Sequence, residues 1–295
     1  MTASTSPTST APSSSSTARS VQKTVRGRPT SDGAGVKLTR VIGTPELRNL
    51  DPFLMLDVFG SDDPDAYIAG FPNHPHRGFE TVTYMLAGRM RHGDNQGNSG
   101  ILRAGSVQWM TAGRGIVHSE MPEQTEGLMK GFQLWVNLPA RDKMCAPRYQ
   151  NIEPEALRSV RVAPGVMAKV VAGELEGVRG PVETGATEAR FYDVTMEPAS
   201  AVTLPLPEGH KAFVLVFEGS ARVGEGAGAR DLAENELAVL TEGSRVTATA
   251  ASKGARFLLV AGRPIGEPIV QYGPFVMNTE AEIHQAIADM QAGRL

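Results

Sequence analysis

At 295 residues the chain is long enough for one large domain or two of ordinary size, with a substantial buried core. Its 41% hydrophobic and 21% charged residues are the proportions of a soluble globular protein. The formal net charge of −3 comes with scattered Lys and Arg, and no apolar run reaches the eighteen or so residues that span a bilayer, so direct nucleic-acid binding and membrane association are not expected. From Thr2 to Ala18 only Thr, Ala, Ser and Pro occur. Such a stretch has no hydrophobic face, and residues 1–33 are expected to form a disordered tail that is dispensable for stability. It has no apolar segment of the secretory type. An acid-free, Ser/Thr-rich start followed by Arg19, Lys23, Arg26 and Arg28 also fits a transit peptide, but a plain disordered tail is the simpler reading, with a cytoplasmic location (or a nuclear one in a eukaryote).

Beyond the tail, β-type runs at 36–42, 53–59, 79–86, 106–110 and 132–138 alternate with turn chemistry such as Gly60-Ser61-Asp62 and Gly93-Asp94-Asn95. A second set follows at 165–172, 189–195, 212–217, 220–223, 236–240, 245–250 and 256–261. Many short strands at even spacing predict an all-β protein of sandwich or barrel type. The two sets share a rhythm, a strand closing on a small turn at Gly88 and again at Gly219. We read this as an internal duplication: a domain at 34–150 and another at 151–295, joined around residues 139–165. Short helices are expected at 153–159 and 279–291, the latter with Ile283, Ile287 and Met290 on one face. The single cysteine, Cys145, excludes an internal disulfide framework and fits a reducing compartment.

Four of the six histidines fall between Asn73 and Glu120. Residues two apart on a strand point the same way, so His74 and His76 present two imidazoles to one side, and His118 and Glu120 do the same from a second segment. Facing pairs would supply three nitrogens and a carboxylate with one or two positions open, a donor set for Fe, Mn, Ni, Co, Cu or Zn rather than Ca or Mg. A lone histidine is usually a surface or core residue. His210 and His284 are read that way, and His92, beside a Gly/Asn-rich loop, is expected to face solvent. With the other histidines assigned to a metal, Cys145 is not read as a nucleophile. The carboxylate remains open at this point. The pattern His74-x-His76-x3-Glu80-x7-Gly88, then Gly105-x7-Gly113-x4-His118, follows the two cupin motifs, where the carboxylate ligand stands at the place of Glu80.

The runs His74-Pro75-His76-Arg77-Gly78-Phe79-Glu80-Thr81-Val82-Thr83-Tyr84 and Gln108-Trp109-Met110-Thr111-Ala112-Gly113-Arg114-Gly115-Ile116-Val117-His118-Ser119-Glu120 resemble the signature of the pirin family. So do Gln133-Leu134-Trp135-Val136-Asn137-Leu138-Pro139 and Tyr272-Gly273-Pro274-Phe275-Val276-Met277-Asn278, and the resemblance spans about residues 35–292. It implies a bicupin, two antiparallel jelly-roll-like β-barrels with a few short helices. It implies one divalent metal per chain, iron(II) before Mn, Ni, Co, Cu or Zn, held by His74, His76, His118 and Glu120. The second barrel would lack a site, in keeping with His210 as the sole histidine in 190–262. It further implies a monomer with quercetin 2,3-dioxygenase activity, taking a flavonol and dioxygen, with Glu120 as ligand or general base. Phe53, Met55, Trp109 and Met110 would then form either a flat pocket or barrel core. The competing implication is a non-enzymatic, iron-dependent regulator that binds transcription factors or metabolic enzymes as protein partners.

Overall fold

The computed structural model describes residues 17–295. The first half supplies strands β1 (Val21–Arg26), β2 (Arg28–Asp32), β3 (Val36–Ile42), β4 (Phe53–Ser61), β5 (Phe71–His76) and β6 (Phe79–Ala87). It continues through β7 (Arg89–Asp94), β8 (Ser99–Arg103), β9 (Val107–Thr111), β10 (Ile116–Pro122), β11 (Met129–Asn137) and β12 (Arg148–Ile152). A seven-stranded sheet runs β12-β9-β6-β11-β4-β3-β2, and a four-stranded sheet runs β5-β10-β7-β8. The second half builds a nine-stranded sheet around the long Arg245–Gly262 strand and its Lys211–Val223 partner. Every pairing within these three sheets is antiparallel, and the sheets stay open rather than closing into complete barrels.

Side-chain alternation decides what each face of the seven-stranded sheet does. On β6 and β11, Val82, Tyr84, Phe132, Leu134 and Val136 join a core shared with Phe191, Phe213, Phe217 and Leu258 of the second half. Phe53 meets Phe213 edge-on at 5.3 Å, and Phe132 meets Phe217 at 4.9 Å. The Tyr84 hydroxyl donates across this interface to Asp193 at 2.6 Å, and Arg256 grips the same carboxylate. The opposite face, with Met55, Asp57, Thr83, Gln133 and Trp135, lines a cavity beneath the four-stranded sheet.

The chain ends differ from the sequence reading. Residues 1–16 lie outside the described residues, but the rest of the expected tail is ordered. β1 pairs with Glu236–Leu240 at the edge of the nine-stranded sheet, and β2 pairs with β3. Val21 and Val25 are buried there, and the Arg19 guanidinium, itself buried, donates to the carbonyls of Pro207, His210 and Thr241. The composition that lacks a hydrophobic face ends at Ala18 and does not extend to the Val-bearing strand that follows. At the other end, helix α1 (Glu280–Gln291) forms with a Thr279/Glu282 capping box, as the amphipathic pattern required. Its buried Ile283 and Ala286 pack with Phe275 and Met277, and it reaches the first half through Arg77, whose Nη1 meets Asp289 at 2.8 Å. The helix expected at 153–159 shrinks to a single 3-10 turn at Pro154–Ala156, because Arg158–Ala163 pairs with Val166–Ala172. No helix among the described residues is long and apolar enough to cross a membrane.

Candidate metal centre

Strand β5, Phe71-Pro72-Asn73-His74-Pro75-His76, carries two prolines, which a strand tolerates at a sheet edge. It is an edge strand, paired among the described residues only with β10. Register places His118 directly opposite His74 and Ile116 opposite His76, so His74, His76 and His118 share one face. Their ring centroids lie 4.4 Å (His74–His118), 4.7 Å (His74–His76) and 5.1 Å (His76–His118) apart. One nitrogen from each falls within 4.8 Å of the other two. Trp135 and Phe79 stand edge-on to His76 at 5.2 and 5.1 Å and fix its ring.

Electrostatics fits this trio to a cation. Burial, reinforced by the neighbouring imidazoles, holds His76 well below the ordinary histidine range and His118 at about 3, so both are neutral at physiological pH. Nδ1 of His76 and both nitrogens of His118 are buried without a protein partner among the described residues. Buried polar atoms are normally paired, and neutral imidazoles that converge with free lone pairs are the donor set for a borderline divalent metal. His74 Nδ1 lies 2.9 Å from the Pro72 carbonyl, which fixes that nitrogen as the N–H and turns Nε2 inward.

The two carboxylates separate cleanly. Glu120 is buried and lines the cavity with His74 and His76. Its Oε1 lies 2.8 Å from Thr83 Oγ1, and Gln133 Nε2 approaches Oε2 at 3.4 Å. Burial pushes its carboxyl up, and the nearby His74 opposes this. Glu120 stands outside the tight trio, displaced by the register shift between His118 and Glu120 that sets it opposite Phe71. Glu80 points to the other face of β6, where Thr111 Oγ1 donates to it at 2.7 Å.

Other expected positions move. His92 is not solvent-facing. It is buried on the central strand β7, opposite Glu120 and 5.6 Å from the Tyr149 ring. Gly100 makes this possible, since a Cβ there would stand 2.6 Å from His92 Nε2. His210 is buried in the second half beside Glu188, and His284 is exposed on α1. Of the four apolar candidates only Met55 lines the cavity, while Phe53 and Trp109 belong to the core between the halves and Met110 packs with Ala112 and Ile116.

The cavity measures about 780 Å3. Thr83 and Gln133, which hold Glu120, escaped the reading of the sequence although both lie in conspicuous runs. The available signal was a polar residue at alternate places of an otherwise apolar strand. Residues of the Val270–Tyr272/Phe275–Met277 hairpin, Gln271, Gly273 and Pro274, close one wall. Gly78, at φ +90°, lets that hairpin approach, because a Cβ would fall 2.0 Å from the Val276 carbonyl.

The family model described as Pirin matches residues 35–136, and the one described as Pirin C-terminal cupin domain matches residues 191–295. A pirin-like protein of Caulobacter vibrioides is 50% identical over 94% of this chain and 99% of its own. Human pirin is 42% identical, over 92% of each chain. A crystal structure of quercetin 2,3-dioxygenase from Acinetobacter baumannii superposes with a TM-score of 0.87 at 34% identity, covering 94% of this chain and 98% of that one. With two cupin domains, a histidine trio in the first and both family models matched, this chain belongs to the pirin family.

Proposed function

We propose that the protein is a metal-dependent dioxygenase that opens the central ring of a flavonol of the quercetin type. The observation that carries this reading is the convergence of three imidazoles, of which His76 and His118 are buried and neutral, with His74, His76 and the buried carboxyl of Glu120 on the wall of one cavity and Met55 and Trp135 beside them. The similarity to a solved quercetin 2,3-dioxygenase supports it. His74, His76 and His118 would hold the ion, with Glu120 completing the set or standing next to it. A divalent metal bound there supplies Lewis-acid polarisation to the flavonol's 3-hydroxyl and 4-carbonyl oxygens and lowers the hydroxyl pKa.

The chain's own residues do the rest. Glu120 accepts the 3-hydroxyl proton, and Thr83 and Gln133 hold its carboxyl at the cavity wall. Trp135 and Met55 offer apolar surface to the flat ring system and keep water from it. Overall, dioxygen adds to the ring, two carbon–carbon bonds break, and the carbon between them leaves as carbon monoxide, giving a depside. Iron(II) is the ion we expect, with Mn, Ni, Co, Cu and Zn compatible with the same donors.

The test is metal analysis of anaerobically purified protein followed by oxygen uptake with quercetin, with carbon monoxide and depside measured as products. About one metal per chain and metal-dependent carbon monoxide release are expected. If the Fe-, Mn-, Ni- and Cu-loaded proteins all fail to exceed a metal-only blank, the enzyme reading falls.

A further inference from the structure

Register across the seven-stranded sheet sets Thr83 opposite Gln133, Gln133 opposite Asp57, and Asp57 opposite Arg40. All four line the cavity, so a polar row crosses its floor from the residues that hold Glu120 to a point three strands away, about 14 Å. Asp32, the last residue of β2, closes that far end. There Arg40 Nε and Nη2 grip the two oxygens of Asp57 at 2.8 and 2.7 Å, and Nη2 also meets Asp32 at 2.7 Å. Arg40 Nη1 has no acceptor among the described residues.

An ion pair sunk in a sheet wall contributes little net stability compared with apolar residues of the same volume. Asp57 is nevertheless buried to 2% exposure, and Leu38, Phe59, Phe71 and Met90 surround the group as the apolar residues of this end. One guanidinium against two carboxylates leaves a net negative charge, which rejects a carboxylate, sulfate or phosphate. It accepts hydroxyls, which donate to Asp57 or Asp32 and receive from Arg40 Nη1.

We propose that Arg40, Asp57 and Asp32 form a second recognition point that takes vicinal hydroxyls on the outer ring of the substrate, selecting catechol-bearing flavonoids. Two acceptors on one shared nitrogen suit a pair of adjacent hydroxyls better than a single one, and the apolar side chains flank the ring that carries them. The proposal rests on the flavonol reading of the cavity.

Binding, not turnover, is the readout. Luteolin carries the vicinal hydroxyls and chrysin lacks them, while neither has the 3-hydroxyl needed for ring opening. Calorimetry on the metal-bound protein under argon should show luteolin binding at least about ten-fold more tightly than chrysin. Asp57→Asn and Asp32→Asn should each cut that ratio several-fold, mainly through weaker luteolin binding. Asp32 is half exposed, so its variant carries the test if Asp57→Asn fails to fold. Equal binding of the two flavones by the unaltered protein, or an unchanged ratio in both variants, overturns the assignment. If the luteolin preference holds while quercetin is never cleaved, the dioxygenase reading fails and the recognition point stands. Cleavage without the preference leaves the reverse.

Discussion

Glu120 and Glu80 are chemically identical, lie on neighbouring motif runs, and are both buried, yet only one faces the histidines. The difference is strand parity. Glu80 alternates with Thr81 and Thr83 and so shares the face of Val82, whereas Glu120 follows His118 by two residues and meets the hydroxyl of Thr83. Glu120→Gln should therefore weaken metal binding far more than Glu80→Gln, by at least about ten-fold, while Thr83→Val, which removes only the group that orients Glu120, should cost up to about ten-fold. Equilibrium dialysis with metal analysis ranks the three variants, and a larger loss for Glu80→Gln would return the carboxylate to the common cupin position. The double variant His76→Ala/His118→Ala should lose most of its metal, and His210→Ala and His284→Ala should keep theirs. Near-stoichiometric metal in the double variant would remove the basis for the site. The ligand candidates were legible because strand periodicity acts over two residues, within a single motif. Asp57 and Arg40 were not, because they meet only through strand register, 17 positions apart in the chain. His92 was misjudged for a related reason: its neighbouring loop is polar, but its burial is set by β8 and β10 on either side and by the missing Cβ of Gly100.

The two chain ends exchange places between the halves, and β1 is the clearest case. Its five paired positions cover the edge strand Glu236–Leu240, which would otherwise present unpaired backbone groups beside the core residues Leu237 and Val239. Arg19 anchors the entry by donating to three carbonyls. Removing residues 1–32 should therefore lower the melting temperature by about 5 °C or more. Arg19→Met, which leaves one buried and two partly buried carbonyls without their donor, should cost about 2–4 kcal/mol. Thermal and urea unfolding measure both, and a truncated protein as stable as the full chain would show that β1 merely lies on the sheet. Alternating strands and the amphipathic α1 were readable from the sequence, since each signal is local. The crossing of β1 to the far sheet was not, because a six-residue strand with two buried valines does not encode which edge it covers.

At the scale of the molecule, the last 26 residues work as a strap from the second half back to the wall of the candidate metal cavity. The hairpin carries Pro274 beside the histidines, and Arg77 N–H donates to its carbonyl at 3.3 Å while Val276 N–H donates to the Arg77 carbonyl at 3.1 Å. Lys143 reinforces the joint from below, donating to Gly78, Asn137 and Val276 at 2.7–2.9 Å. Beyond the hairpin, α1 adds the buried side chains of Ile283 and Ala286, and the strap is pinned by Arg77 to Asp289. Arg77, with Arg294 and Gln285, holds the Asp289 carboxyl at about 2, below the ordinary aspartate value near 3.9. A carboxyl whose pKa is depressed on folding stabilises the folded state in full above its unfolded pKa, and the contribution is lost as pH falls through the folded value. The strap should therefore stay docked above about pH 4 and loosen as pH approaches 2. Asp289→Asn removes the charge at every pH. Amide exchange in residues 270–295 should then be faster at neutral pH by roughly ten-fold, with protection of the seven-stranded sheet retained. The same variant should also lack the extra loosening between pH 4 and pH 2 that the unaltered protein shows. Equal exchange of the strap in both proteins at neutral pH would mean that the apolar contacts of Phe275, Met277 and Ile283 hold it without the ion pair.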